Sequence, residues 1–103
     1  MANATVKVGI WVRLEAKPER AQALQELLTG ALPLAQDEAA TLVWFAVKLG
    51  PTTYGVFDAF ADEAGRQAHT AGRIAAALMA HADELLAQPP KLEMTEVLAA
   101  KLP

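Results

Sequence analysis

The chain has 103 residues, of which 53% are hydrophobic and 20% charged, so it can build a real though thin core. Nine basic residues against twelve acidic give a net charge of −3 with no basic cluster, which excludes the positive footprint that a nucleic-acid partner requires. The absence of cysteine excludes disulfides, thiolate metal sites and thiol nucleophiles together.

The elements follow in chain order. Residues 5–15, "TVKVGIWVRLE", alternate with period two. Val6, Val8, Ile10, Val12 and Leu14 share one face, while Lys7, Gly9, Trp11, Arg13 and Glu15 share the other. "KPER" opens a helix with Pro18 in its first turn, where a missing N–H does no harm. Ala21, Leu24, Leu27, Leu28, Leu32 and Ala35 form its apolar stripe, which Gly30 and Pro33 interrupt before an end near Asp37.

"TLVWFAVKL" (41–49) is apolar on both faces apart from Lys48 and predicts a strand buried on both sides. "GPTT" turns the chain, and "YGVFDAF" (54–60) returns as the second arm of a hairpin. Asp62 caps a short helix over 63–71 that Gly72 breaks. A longer helix over 73–88 turns Ile74, Leu78, Met79, Leu85 and Leu86 inward, "QPP" stops it, and "KLEMTEVLA" (91–99) is the last strand.

Strand, helix, strand, strand, helix, strand is the split βαβ, ferredoxin-like order: α+β, βαββαβ, with one antiparallel four-stranded sheet in a single domain, 1–103. Its helices cover only one face of that sheet. The other face carries Trp11 and one side of "LVWFAV", apolar surface whose simplest cover is the sheet of a second copy. A homodimer is therefore expected, joined by sheet faces and the C-terminal segment "VLAAKLP". No apolar run reaches the length of a membrane span, and "MANATVKV" lacks the form of a secretory signal, so the expected setting is the cytoplasm.

"VRLEAKPERAQALQELL", "FDAFADEAGRQAHTAG", a helix ending in "PP" and a final strand together resemble the antibiotic biosynthesis monooxygenase (ABM) family of dimeric α+β barrel proteins, over residues 5–99. The resemblance implies a dimer of sheets packed face to face, with a ligand pocket in each subunit between sheet and helices. It also implies one of several activities: cofactor-independent oxygenation of anthrone- or quinol-type aromatics, heme degradation, or none established. The heme-degrading members use an Asn, a Trp and a His at positions that here carry Val12, His69 and Met79 or its neighbour, so none of the three matches. Many relatives also end the third strand with Trp, where this chain has Phe60, and carry a second His close to Arg73.

His69 occupies the place of an Ala-His found in many relatives on the helix that borders the pocket. A neutral imidazole, titrating at about 6.5, suits the removal of a proton from an activated aromatic hydroxyl. The anion that results can react with O2 without flavin or metal, and no cofactor is expected. Otherwise His69 caps carbonyls at its helix end or meets solvent. His81 shares a stripe with Ile74, Leu78 and Leu85 and is expected to be a hydrogen-bonded core or interface residue. Twelve residues separate the two histidines, ~18 Å along one helix, so they form no metal pair.

Asp58, between Phe57 and Phe60 on a central strand, is the second candidate proton acceptor; an ion pair with Arg13 or Lys48 is the alternative. The expected pocket, for a small hydrophobic or aromatic ligand, is bordered by Val12, Leu24, Phe60 and His69. Arg73 faces an anionic group of the ligand or is solvated. Tyr54 and Trp44 line the site or belong to the core. No phosphate loop, dinucleotide fingerprint, zinc-protease helix or nucleophile elbow is present.

Overall fold

The computed structural model describes residues 6–103. The start of the first predicted strand, and most of the segment read for a signal, lie outside the described residues. The strands are β1 (Val8–Glu15), β2 (Val43–Lys48), β3 (Thr53–Phe60) and β4 (Lys91–Glu96). The helices are α1 (Ala21–Gly30), α2 (Leu32–Asp37), α3 (Glu63–Thr70) and α4 (Arg73–Leu85), with a 3-10 turn at Pro18–Arg20 leading into α1. The four strands form one antiparallel sheet in the order β2-β3-β1-β4, the α+β ferredoxin-like arrangement.

Strand alternation decides which side chains meet the helices. Ile10 pairs with Asp58 and Met94, and Val12 with Val56 and Leu92, so these residues share the helix-facing side. Leu14, Leu24, Leu28, Tyr54, Val56, Leu85 and Leu86 build the core under the first helix and the end of α4. The chain kinks between α1 and α2 at Ala31, one residue after Gly30, and Pro33 sits in the first turn of α2, as its missing donor requires.

The opposite side of the sheet is uncovered in the single chain. Trp11 lies flat over Gly55 there, so close that a Cβ at residue 55 would sit 2.2 Å from the indole ring. Phe45 and Val47 stand exposed on the same side. Strand β2 is an edge strand with this outer side open, which corrects the expectation of a strand buried on both sides. Its inner side holds: Trp44 packs against the core. Among the described residues no helix is long and apolar enough to cross a membrane.

Ile74, Leu78 and Leu85 of the long helix, with Leu86 at its end, face inward as expected, but His81 does not. Ala82, not His81, packs against the core, and of the residues of α4 only Leu85 is fully buried. His81 is half exposed, with Nδ1 3.5 Å from Glu84 Oε1 one turn on. Leu32 and Met79 are also exposed. Alanine is the cause: Ala75, Ala76, Ala77, Ala80 and Ala82 make every side of this helix look apolar, so the stripe is blurred.

Candidate functional site

Asp62 starts the construction of the site. Its carboxylate accepts from Gly65 N–H at 2.9 Å and fixes the first turn of α3. Gly65 lets that turn settle on the sheet, since a Cβ there would lie 3.3 Å from Phe60 Cβ. His69 follows at i+4 on the same side of the helix, and the two are the buried residues of α3. The helix thus delivers one imidazole to the middle of the sheet.

His69 is 8% exposed and held by carboxylates at both ring nitrogens. Nε2 donates to Asp58 Oδ2 at 3.0 Å, and Nδ1 donates to Glu38 Oε1 at 2.6 Å. Two carboxylate acceptors require two N–H donors, which is the imidazolium form. Burial alone would lower the pKa of His69, but the hydrogen bonds to Asp58 and Glu38, and then their charges, raise it to about 9. Thr41 Oγ1 donates to the same Glu38 oxygen at 2.7 Å, and the Phe60 ring lies 5.4 Å from the imidazole, centroid to centroid. An aromatic face at that distance favours the cation further.

Asp58 is 1% exposed on the central strand β3. Its Oδ2 takes the bond from His69, while Oδ1 is buried with no hydrogen-bond partner among the described residues. A buried carboxylate oxygen without a donor is costly, on the order of 1–3 kcal/mol or more, and Asp58 is one of the residues that line a cavity. That cavity has a volume of about 230 Å³ and lies between the sheet and the helices. Asp58, His69 and Thr70 contribute to one part of its wall, and the rest is aliphatic. Ile10, Val12, Val56 and Leu92 form the sheet side; Leu27, Leu28 and Ala31, with Ile74, Ala75, Ala77, Leu78 and Met79, form the helix side.

Of the residues expected at the pocket, Val12, Asp58 and His69 line it. Leu24 and Phe60 do not: both are wholly buried, Leu24 in the core and Phe60 beneath His69. Arg73 is also elsewhere, with its side chain exposed and its guanidinium 3.5 Å from Asp37. Tyr54 is a core residue whose hydroxyl donates to Ala21 O and Gln25 Oε1, each at 3.2 Å. Asp58 pairs with neither Arg13 nor Lys48. Arg13 lies on the other side of the sheet, opposite Gly55, and Lys48 stands over the Tyr54 ring. The neutral, unengaged imidazole expected at His69 is replaced by a buried cation with both nitrogens occupied.

Glu38 escaped the sequence reading. It lies in the connector after α2, 31 residues from His69, and carries no helical or strand periodicity. Among the described residues no group of three His, Cys, Asp or Glu side chains is arranged to hold a metal ion.

The raised pKa makes a signed prediction. A group whose folded pKa exceeds its unfolded value stabilises the fold fully below the unfolded value, here 6.5, and loses that contribution as pH rises through about 9. Stability should therefore decline between pH 6.5 and 9, and the His69 ring should titrate by NMR with a midpoint near 9. A midpoint below about 7 contradicts the ion triad. His69→Ala leaves Asp58 buried without its countercharge and should cost about 3–5 kcal/mol in chemical denaturation. His81→Ala, at an exposed position, should change stability by less than about 0.5 kcal/mol.

The comparisons with known proteins bear on fold and family. No family model matches the sequence, and no curated protein matches it. Among solved structures, the NE2512 protein of unknown function from Nitrosomonas europaea is 62% identical over 96% of this chain and 96% of its own, with a TM-score of 0.94. Rv0793 from Mycobacterium tuberculosis is 17% identical over 91% of this chain and 97% of its own, at a TM-score of 0.82. A structure named antibiotic biosynthesis monooxygenase is 14% identical over 88% of this chain and 98% of its own, at a TM-score of 0.78. The chain therefore belongs to one family with NE2512, and its fold is that of the antibiotic biosynthesis monooxygenase proteins.

Proposed function

We propose that the protein is a cofactor-independent monooxygenase of a small reduced aromatic, bound in the cavity with a hydroxyl or comparably acidic group directed at Asp58. The observation that carries this reading is the Asp58 carboxylate, buried beside an apolar cavity with Oδ1 lacking a donor. A ligand O–H supplies that donor. Asp58 then takes the proton at Oδ1, while the His69 imidazolium holds Oδ2 in place. His69 itself is a positioning residue in this scheme, since neither of its nitrogens is free to accept.

The substrate anion left in the cavity is electron-rich and reduces O2 directly. One oxygen atom enters the substrate in place of two hydrogens, and the other leaves as water with those hydrogens, so no external reductant is consumed. Aliphatic walls keep water from the anion and from the reduced oxygen species. The fold neighbour named as a monooxygenase supports the same class of reaction.

A binding module is the second reading, and one observation favours it: Asp58 already forms an ion pair with His69, an arrangement that needs no reaction to be complete. Oxygen uptake separates the two. After metal chelation and without added flavin, the protein should consume O2 with a hydroxylated aromatic substrate, and Asp58→Asn should lower kcat by about 10²-fold or more. The rate should not rise between about pH 6 and 8, the range where a free imidazole base would titrate. Saturable binding with no O2 uptake would favour the binding module instead.

We also infer a homodimer in the cytoplasm, a single domain per chain, joined through the open sheet side that carries Trp11, Phe45 and Val47. Sedimentation at micromolar concentration should give the dimer, and Trp11→Glu should dissociate it, because an unpaired charge is costly to bury. A stable wild-type monomer would refute this.

A further inference from the structure

We propose that the cavity selects an aromatic with a single donor at its buried end and an apolar tail that leaves through a mouth rimmed by Met79 and Leu92, that is, an alkylphenol-type amphiphile. This rests on the reading of the cavity as a site for a hydroxylated aromatic, and narrows it.

The polar groups sit at one end. Of the side chains in that wall, His69 has both nitrogens engaged, and Thr70 Oγ1 donates to Gln67 O at 2.9 Å. Asp58 Oδ1 is left as an acceptor in search of a donor. A hydroxyl satisfies it; a carbonyl places one lone pair against another. The cavity therefore discriminates between a phenol and its quinone product, which lacks the donor and is expelled.

The far walls offer nothing polar. A second hydroxyl para to the first would take the place of the tail's first carbon, where the lining offers no polar side chain, at a loss of about tenfold or more in affinity. An aliphatic cavity of about 150 Å³ accepts a benzene ring. The 230 Å³ here holds one ring and the start of a chain, and three fused rings exceed it.

The mouth gives the tail its path. Leu92 lines the cavity and is yet 50% exposed, and Met79 likewise at 63%. Asp58 lies two strands away from Leu92 and two residues out of register, since Val12, not Ile10, is Leu92's partner on β1. The long axis of the site thus runs diagonally from the carboxylate to the rim. Met94, exposed on the same side of β4 next to Leu92, lies level with Asp58 and widens the apolar rim. Flexible methionines on either side suit a tail of variable length.

Calorimetric titration of the full chain under anaerobic conditions tests this, with phenol, 4-ethylphenol, 4-propylphenol, propylbenzene and hydroquinone as ligands. From phenol to 4-propylphenol each methylene should tighten binding about threefold to fourfold. Propylbenzene and hydroquinone should each bind at least about tenfold more weakly than the alkylphenol of similar length. Met79→Gln, at an exposed position that the fold tolerates, should flatten the chain-length series. Asp58→Asn should erase the preference for propylphenol over propylbenzene; should that variant not fold, the wild-type series decides alone. A flat series, or hydroquinone binding as tightly as 4-ethylphenol, overturns the proposal. Tight alkylphenol binding with no O2 uptake in air removes the oxygenation reading and leaves this one standing. Uptake that prefers hydroquinone does the reverse.

Discussion

A carboxylate in the middle of a sheet needs a countercharge, and the arrangement around Asp58 is organised by that need. His69 supplies the charge from α3, and Glu38 fixes it by engaging the second ring nitrogen. Gly65 and the Asp62 cap bring the helix close enough, and Phe60 underlies the ring. Removing any one of these weakens the hold on the carboxylate. A buried ion triad is rarely the most stable way to fill such a space, because apolar side chains of equal volume do as well or better. Its retention, with one carboxylate oxygen still lacking a donor, fits a site better than a scaffold.

The cavity has a similar logic. The inward side of α4 carries Ala75 and Ala77 where a core would use leucine, and only Leu85 at its far end is fully buried. Interiors normally pack to crystal density, and unfilled apolar volume costs about 24 cal/mol per Å³. The first half of the domain shows that this chain can pack tightly: Leu14 and Leu24 are wholly buried. Packing has been relaxed where Asp58 stands, in the cavity between sheet and helices.

Much of the fold was legible. The alternation from Val6 to Leu14 identified the inner side of β1, Asp62 and Gly72 bounded the short helix, and Gly30 with Pro33 marked the kink. These signals are local, carried by residues within a turn or a strand of one another. Asp58 could be singled out from its place between Phe57 and Phe60 on a central strand, and His69 from the family resemblance. Their pairing was not legible, since it depends on how far α3 slides along β3, and no sequence spacing encodes that distance. Glu38 was invisible for the same reason in stronger form: a loop residue has no periodicity to read. His81 failed differently, because alanine on every side of α4 leaves the helix rotation to be decided by packing against Ala82 and Leu85.

Function, on this reading, depends on a buried, imidazolium-held carboxylate that receives a ligand hydroxyl at the end of an apolar cavity. A crystal structure of the protein soaked with 4-ethylphenol is the decisive experiment. The ring should lie between Val12 and Leu78 with its oxygen within hydrogen-bond distance of Asp58 Oδ1 and its ethyl group toward Met79. A phenol found with its oxygen at the mouth, or bound only on the open side of the sheet beside Trp11, would be incompatible with that role for Asp58.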